Sequence, residues 1–213
     1  MTAQTQTDRP PPSGKATTAI SLISQSVRRP LPSQVPTASW NLVPPDAVHE
    51  VENIIQRSRW PLYVFGQQGR GKSCLAALIH QVWPTRAVWL DVSDLLSQVK
   101  TCRRNGLVEI AGPDGRYFEF SEAALFDRFG NAGLLVLDDI GIRTPTDVDI
   151  EIITRAVNAR AGKPLIVTSN LKPDELNAAF GARLASRLLA GVPLCLAGSD
   201  RRLTHSKIVE VRL

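Results

Sequence analysis

The stretch at 66–73 constrains the fold of this chain more than any other, because it combines glycines at fixed positions with a lysine and a hydroxyl residue. Its residues are Gly66, Gln67, Gln68, Gly69, Arg70, Gly71, Lys72 and Ser73. Apolar runs at 61–65 and 74–79 flank it. Glycine, any four residues, glycine, lysine and serine or threonine between a strand and a helix are typical of a phosphate-binding loop. The alternative, a glycine-rich turn without a ligand, leaves the flanking apolar runs unexplained.

The chemistry of this loop predicts that it binds the phosphates of a nucleotide together with Mg²⁺. Glycine reaches backbone angles closed to other residues, so successive amide groups can turn inward around a phosphate. The helix that opens at Gly71 adds its positive end. Lys72 is predicted to neutralise the β- and γ-phosphates, and the Ser73 hydroxyl to join the Mg²⁺ coordination shell. The predicted nucleotide-binding segment runs from Gly66 to Cys74.

Composition limits the chain to one domain of ordinary type. Its 213 residues, 43% hydrophobic and 21% charged, are enough for one well-buried core. No run approaches the ~18 apolar positions of a membrane-spanning helix, and the N-terminus lacks the apolar centre of a secretory signal. We therefore expect a cytoplasmic protein without membrane contact. A net charge of +5 is compatible with an anionic partner but shifts the balance only modestly.

The N-terminal stretch at 1–39 is rich in proline, serine and threonine. Such a composition buries too little apolar surface to offset chain entropy, so we expect a mostly disordered tail followed by a folded domain over 40–213. The exception is 17–29, where Ile20, Leu22, Ile23 and Val27 could form one stripe of a short helix. This island is either a docking segment for a partner or a linker with chance periodicity.

A second chemical landmark is the apolar run at 134–137 that ends in Asp138 and Asp139. A run of this length between turn residues predicts a buried parallel strand, and open parallel sheets bind ligands at the carboxyl ends of their strands. Asp138 is therefore predicted to hold the Mg²⁺ hydration shell, and Asp139 to orient or deprotonate the attacking water. An isolated aspartate pair is more often a loop start or helix cap, but the preceding phosphate loop favours a catalytic role.

The remaining elements alternate between strands and helices. Short apolar runs at 87–90, 164–168 and 192–196 predict further buried strands, and helical periodicity recurs at 45–57, 121–129, 144–160 and 178–190. Asn170 follows the strand at 164–168, where its amide either contacts the γ-phosphate or water, or caps the turn before Pro173. The alternation predicts a three-layer α/β fold.

The segment at 107–120 breaks this alternation and predicts an inserted β-hairpin. Basic residues flank it: Lys100, Arg103, Arg104 and Arg116. A hairpin that contacts DNA is one interpretation, and a merely solvated face is the commoner explanation.

Taken in order, these motifs resemble those of an AAA+ ATPase, and more closely those of the DnaC/IstB-like helicase loaders and transposition helpers. The stretches that carry the resemblance are 66–73, 134–141, 167–171 and 183–188. The Asp-Asp-Ile-Gly and Thr-Ser-Asn-Leu sequences in this order are far more specific than the phosphate loop alone. Together the four stretches span most of the predicted fold.

The resemblance implies a P-loop NTPase fold of the AAA+ type, with a five-stranded parallel sheet whose phosphate-loop strand lies beside the Asp138 strand. It makes Asn170 the sensor-1 residue, and Arg187 the first and Arg183 the second candidate for an arginine finger that acts on a neighbouring subunit. The chain offers no room for a full C-terminal lid, which leaves Arg201 as the candidate for a second sensor. Asp139 replaces the glutamate of many AAA+ enzymes, so turnover is expected to be slow.

The function implied is an ATP-driven assembly switch. The favoured client is a replicative helicase, delivered to single-stranded DNA by a self-oligomer. The runner-up is a transposition helper that bridges a transposase and DNA. A nucleotide-dependent adaptor with little hydrolysis is a third possibility, and a small-molecule kinase is disfavoured because no phosphate-acceptor site is evident.

Overall fold

The computed structural model of the chain describes residues 29–112 and 115–197. The apolar stripe predicted within 17–29 therefore lies outside the described residues. Arg201, the candidate for a second sensor, lies outside them as well, as do two residues of the predicted hairpin turn.

Within the residues that the structure describes, seven strands form two sheets. The strands are β1 (Leu62–Phe65), β2 (Ala87–Asp91), β3 (Val108–Ala111), β4 (Tyr117–Phe120), β5 (Leu134–Ile140), β6 (Leu165–Ser169) and β7 (Val192–Cys195). Five of them form a parallel sheet in the order β2-β5-β6-β1-β7, and β3 pairs with β4. This confirms the predicted five-stranded parallel sheet with an inserted hairpin.

The helices are α1 (Pro45–Arg57), α2 (Lys72–Val82), α3 (Val92–Asn105), α4 (Glu122–Gly130), α5 (Asp147–Asn158), α6 (Pro173–Phe180) and α7 (Ala182–Leu188). Helices α1 and α2 pack on one face of the sheet, and α3 to α7 contribute to the core on the other. The fold is therefore three-layered, as predicted. Within 29–112 and 115–197, no helix is both long enough and apolar enough to span a bilayer.

Strand β5 lies at the centre of both cores. Its residues at 134–137 are completely buried, and alternate side chains face opposite layers. Leu135 and Leu137 belong to the core beneath α3 to α7, whereas Leu134 and Val136 belong to the core beneath α1 and α2. A strand covered on both faces must be apolar throughout, which explains why this run was recognisable in the sequence.

The order of the strands corrects one expectation. The phosphate-loop strand β1 does not lie beside β5, because β6 is inserted between them. The expectation rested on the family resemblance alone. The residues themselves do not encode the neighbours of a buried strand, since both edges of such a strand look alike. The insertion places the carboxyl end of β6, followed by Asn170, between the phosphate loop and the aspartates of β5.

The helix predicted over 178–190 is also corrected, because the structure has two helices there. Gly181 separates α6 from α7 with a φ of 80°, in the left-handed region that favours glycine. The helix predicted over 144–160 is shorter as well, since Thr146 caps it through the backbone N–H of Asp149. The break at Gly181 gives the arginine-bearing helix α7 its own direction.

The segment before Trp40 packs against the domain. The backbone N–H of Arg29 donates to the Gln81 carbonyl oxygen at 3.0 Å, and its guanidinium donates to the carbonyl oxygens of Trp83 and Thr85. Val35 is buried, and a 3₁₀ helix follows at Trp40–Leu42. The described packing therefore starts before the domain boundary predicted near Trp40.

A buried arginine, Arg160, connects the end of α4 with the start of β6 through hydrogen bonds. It is 2% exposed, and its guanidinium donates to the carbonyl oxygens of Phe129, Gly130, Ala132 and Pro164 at 2.6 to 3.2 Å. Cations bind favourably at the carboxyl ends of helices, where backbone carbonyls lack partners. Burial lowers the pKa of this guanidinium.

The hairpin β3–β4 turns an acidic face outward. Val108, Ile110 and Phe120 pack against the main core, whereas Glu109 lies directly opposite Glu119 on the outer face. Two carboxylates paired across strands repel each other and repel a phosphate backbone. This arrangement favours the solvated-face interpretation over the DNA-contacting one.

The cations near the hairpin support the same interpretation. Lys100 forms an ion pair with the buried carboxylate of Asp149 at 2.6 Å. Arg103 pairs with Glu122 at 3.0 Å and with Glu151 at 2.8 Å, which links α3 to α4 and α5. These charges are engaged in joining helices, so they are poorly placed to bind phosphates.

Candidate functional site

The phosphate loop connects β1 to α2, and glycines determine its shape. Gly66, Gly69 and Gly71 have φ angles of 148°, 76° and 87°, which other residues rarely adopt. A Cβ atom at Gly66 would lie 2.5 Å from the carbonyl oxygen of Leu196. No side chain fits there without moving the backbone, so the first glycine of the motif is required by the close approach of the segment after β7.

Lys72 begins α2 and extends across the loop. Its side chain is nearly buried, and its Nζ donates to Oδ1 of Asn170 at 2.7 Å and to the carbonyl oxygen of Gln67 at 3.1 Å. The predicted lysine and the predicted sensor residue, 98 positions apart in sequence, are therefore in direct contact. Phosphate oxygens placed in this loop would meet the ammonium of Lys72 and the amide of Asn170 together.

Asp138 and Ser73, the two predicted Mg²⁺ ligands, also lie together. Asp138 is 4% exposed, and burial raises the pKa of its carboxyl to about 6 despite hydrogen bonds from Thr168 and Ser73. A buried carboxylate and a hydroxyl form the oxygen donor set that Mg²⁺ accepts, with its remaining positions filled by water and phosphate. A divalent cation would also relieve the burial of the carboxylate charge, so these residues fit the predicted ion.

Asp139 lies at a distortion of β5. Its φ of 62° is in the left-handed region, and its backbone N–H donates to Oγ1 of Thr168 at 2.8 Å. The pairing of β5 with β6 shifts register between Leu137 and Ile140, as at a β-bulge. Left-handed residues other than glycine are uncommon and cluster at functional sites. The distortion places Asp139 outside the regular ladder, at the edge where the predicted water would bind.

Hydroxyl groups fix the segment after β6. The Ser169 hydroxyl donates to the Ile140 carbonyl oxygen at 2.8 Å and accepts from the Leu171 N–H at 3.0 Å. The Tyr63 hydroxyl donates to the Leu171 carbonyl oxygen at 2.8 Å, and burial raises its pKa to about 12, so it stays protonated. These bonds hold Asn170 between β1 and β5. Sequence reasoning assigned no role to Tyr63, Thr168 or Ser169. Thr168 and Ser169 belong to the Thr-Ser-Asn-Leu motif, whereas the only signal for Tyr63 was a hydroxyl in an otherwise apolar strand.

The other residues of the predicted nucleotide-binding segment lie around its rim. Gln67 and Gln68 are exposed, and Arg70 donates from Nη2 to Oε1 of Gln67 at 2.6 Å. Cys74 is partly buried on α2, in the turn after Ser73. The structure thus brings together every predicted member of the segment.

Arg183 and Arg187 lie on the outer face of α7, separate from this cluster. Leu184, Ala185 and Leu188 form the buried face of the same helix. Arg187 donates from Nη1 to the carbonyl oxygen of Arg183 at 3.0 Å, and neither arginine bonds to the phosphate loop in the described part of the chain. The position of these arginines outside the cluster is compatible with the predicted role on a neighbouring subunit.

The buried carboxyl of Asp138 leads to a prediction for Mg²⁺-free protein. Folding raises its pKa from 3.8 to about 6. Between these values the folded state binds more protons than the unfolded state, so the free energy of unfolding falls as the pH rises through this window. A shift of about two pH units corresponds to about 3 kcal/mol. Asp138→Asn, which cannot ionise, is expected to be more stable than the wild type by about 2 kcal/mol at about pH 7.5.

Urea unfolding at about pH 4 and about pH 7.5 measures this difference. The advantage of Asp138→Asn should be confined to the higher pH, and excess Mg²⁺ should stabilise the wild type alone. An advantage of equal size at both pH values would contradict the assignment of the shift to Asp138.

Known proteins include some whose sequences are similar to that of this chain. No established family model matches the chain. Over 131 residues the chain is 28% identical to the replicative helicase loader DnaC of Escherichia coli strain K12, and it matches DnaC of Shigella flexneri equally well. The match covers 59% of this chain and 49% of the relative. The chain therefore spans about half the length of the curated relatives it matches.

Solved structures match the fold. A crystal structure of the DnaC helicase loader superimposes with a TM-score of 0.62 and 19% identity, covering 78% of this chain and 100% of that one. DnaI gives a TM-score of 0.62 with 18% identity, covering 78% and 95%. AMPPCP-bound DnaA from Aquifex aeolicus gives 0.55 with 18% identity, covering 70% and 45%. These matches confirm the predicted three-layer α/β fold.

Proposed function

Because the chain resembles DnaC-like AAA+ proteins in sequence and fold, we propose that it is an ATP-dependent loader of a replicative helicase onto single-stranded DNA. The observation that carries the proposal is the contact of Lys72 with Asn170, next to the Ser73–Asp138 pair. This cluster supplies, from one subunit, the groups that would contact the phosphates and Mg²⁺ of ATP. The sequence similarity to DnaC supports the choice of client.

Each residue of the cluster has a role in this proposal. Lys72 binds the β- and γ-phosphates in place of its contact with Asn170, which then donates its amide N–H to the γ-phosphate or the attacking water. Ser73 and Asp138 hold Mg²⁺, which supplies neutralisation of phosphate charge. Asp139 orients the water and accepts its proton.

Assembly completes the site in this proposal. ATP binds between the cluster of one subunit and an arginine of the next, so hydrolysis changes the affinity between subunits and their hold on DNA. The net charge of +5 favours contact with phosphates. Affinity for single-stranded DNA should therefore fall as the salt concentration rises.

Two other functions are compatible with the cluster. A transposition helper would use the same ATP site, but the curated sequence similarity is to helicase loaders, which favours the loader. A nucleotide-dependent adaptor would bind ATP with little hydrolysis. Asp139, shorter than the usual glutamate, is consistent with slow turnover in either case.

We expect Lys72→Ala to lose most of its affinity for ATP. Removal of the ammonium leaves phosphate charge without its counter-charge in a nearly closed site, which costs about 2 kcal/mol or more, or about 30-fold in Kd. Titration with a fluorescent ATP analogue measures this loss. Lys163→Ala is the matched control. Lys163 is exposed and precedes the amino end of β6, far along the strand from the candidate site, and its Nζ donates to the Gly130 carbonyl oxygen.

The same pair of variants tests the proposed client. The wild type and Lys163→Ala should deliver a replicative helicase from the same cell to circular single-stranded DNA in the presence of ATP, and Lys72→Ala should not. Strand displacement by the loaded helicase is the readout. Unchanged ATP affinity in Lys72→Ala would refute the site. ATP binding by the wild type without helicase delivery would refute the client and direct attention to transposases.

A further inference from the structure

We propose that Thr168 is a positioning residue that sets the orientation of both aspartates of the candidate site, the Asp138 carboxylate and the Asp139 backbone. This inference rests on the proposed ATPase function and assigns a role to a residue that the phosphate-loop and acidic motifs leave out. Thr168 is completely buried in β6. This strand pairs with the phosphate-loop strand β1 on one side and with β5, which carries the aspartates, on the other. It acts through Asp138 and Asp139, which its hydroxyl contacts.

The hydrogen bonds of Thr168 have only one consistent arrangement. Its Oγ1 lies 2.5 Å from Oδ1 of Asp138 and 2.8 Å from the backbone nitrogen of Asp139. The backbone N–H can only donate, so the hydroxyl oxygen accepts from Asp139 and its single proton is directed to Asp138. One side chain therefore joins a carboxylate predicted to bind Mg²⁺ to the backbone of the residue predicted to bind water.

The distortion of β5 explains why a hydroxyl is needed there. The register of β5 and β6 shifts between Leu137 and Ile140, which interrupts the regular backbone ladder beside both aspartates. Two consecutive hydroxyls replace the interrupted bonds: Thr168 binds Asp138 and Asp139, and Ser169 binds the Ile140 carbonyl oxygen. A buried backbone N–H without a partner is costly. The Thr168 hydroxyl thus allows Asp139 to keep its left-handed conformation.

The next residue along the chain extends the same arrangement to the phosphate loop. Asn170 accepts from Lys72, so the three consecutive residues Thr168, Ser169 and Asn170 contact the aspartates, the end of β5 and the loop lysine. Thr168 is the member of this series that controls the geometry of the metal ligand and the water site. Its removal should therefore affect hydrolysis more than nucleotide binding.

Thr168→Val separates the hydroxyl from the shape of the side chain, since the two are nearly isosteric. We expect kcat for ATP hydrolysis to fall about tenfold or more, and the Mg²⁺ concentration for half-maximal activity to rise, with KM for ATP changing less than about twofold. Thr168→Ser keeps the hydroxyl and should restore most of kcat. Thr101→Val on α3 is the matched control, and it should behave as the wild type.

The outcomes are distinguishable. If Thr168→Val and Thr168→Ser lose activity to the same extent, the methyl group rather than the hydroxyl matters, and the inference is wrong. Wild-type kcat and Mg²⁺ dependence in Thr168→Val would also overturn it. Melting temperatures of all variants show whether a loss of activity reflects unfolding. If Thr168→Val unfolds, the test rests on Thr168→Ser, in which retention of most of kcat supports the role of the hydroxyl and a loss of kcat overturns it. A wild type that neither binds ATP nor hydrolyses it would overturn the proposed function and this inference together.

Discussion

Replacement of Asp139 by asparagine is expected to reduce ATP hydrolysis by about 10²- to 10⁴-fold while ATP binding stays close to that of the wild type. In the proposed function the carboxylate of Asp139 acts on water, so its charge is needed for the reaction and not for affinity. Asparagine has the same shape but cannot accept the proton of the attacking water. The change therefore affects the chemical step alone.

The backbone conformation of Asp139 makes the effect of Asp139→Asn easy to interpret. Asp139 has a φ of 62°, and asparagine tolerates the left-handed region better than nearly all other residues except glycine. The hydrogen bond from its backbone N–H to Thr168 should therefore persist. Asp139→Leu, by contrast, would combine loss of the carboxylate with strain, and its effect could not be assigned to either.

Single-turnover hydrolysis and nucleotide titration on the same preparations measure the two quantities separately. Asp127→Asn is a suitable control, since Asp127 is an exposed aspartate on α4. Equal losses of binding and hydrolysis in Asp139→Asn would show that Asp139 is structural. Undiminished hydrolysis in Asp139→Asn would remove Asp139 from the catalytic role.

The parts of the site that the sequence predicted are those encoded by neighbouring residues. The phosphate loop needs glycines at positions where backbone angles are unusual. At Gly66 the carbonyl oxygen of Leu196 also leaves no space for a side chain. Strand β5 is buried on both faces, so its apolar run and its terminal aspartates could be recognised without knowledge of the rest of the fold.

The parts that the sequence did not predict depend on pairings between distant segments. No local pattern determines that β6 lies between β1 and β5, and this placement is what brings Asn170 to Lys72. The role of Thr168 follows from a register shift that exists only once β5 and β6 pair. Gly181 did carry a local signal, since a glycine within a helical pattern often ends the helix, but the apolar periodicity around it favoured one continuous helix.

The second large effect is expected for Arg187→Ala, which should bind ATP nearly normally but hydrolyse it about 10³- to 10⁵-fold more slowly. Lys72 and Asp138 supply charge from one side of the nucleotide, and the transition state spreads negative charge over the γ-phosphoryl oxygens. Arg187 lies on α7 without a bond to the phosphate loop of its own chain in the described structure. In the proposed assembly it reaches the ATP of the neighbouring subunit.

Arg183 is the natural comparison, because it lies one turn earlier on the same helix. It lines a groove of about 430 Å³ in its own chain together with the acidic residues Asp147 and Glu151. Arg187 does not line this groove. We therefore expect Arg183→Ala to have the smaller effect on hydrolysis, which is the order of candidates that the motif suggested.

A mixing experiment tests whether Arg187 acts between subunits. Lys72→Ala retains the arginine and lacks the nucleotide site, whereas Arg187→Ala retains the nucleotide site and lacks the arginine. Arg187→Ala alone is also expected to form no ATP-dependent oligomers, because the arginine joins neighbouring subunits through the nucleotide. A mixture of the two variants should regain part of the hydrolysis that each lacks alone, and ATP-dependent oligomers should reappear in sedimentation. A mixture of Lys72→Ala with Asp139→Asn should stay inactive, since each of these damages the same half of the site. If Arg187→Ala alone hydrolyses ATP and forms oligomers normally, Arg187 is an ordinary exposed helix residue, and Arg183 takes its place in the same experiment.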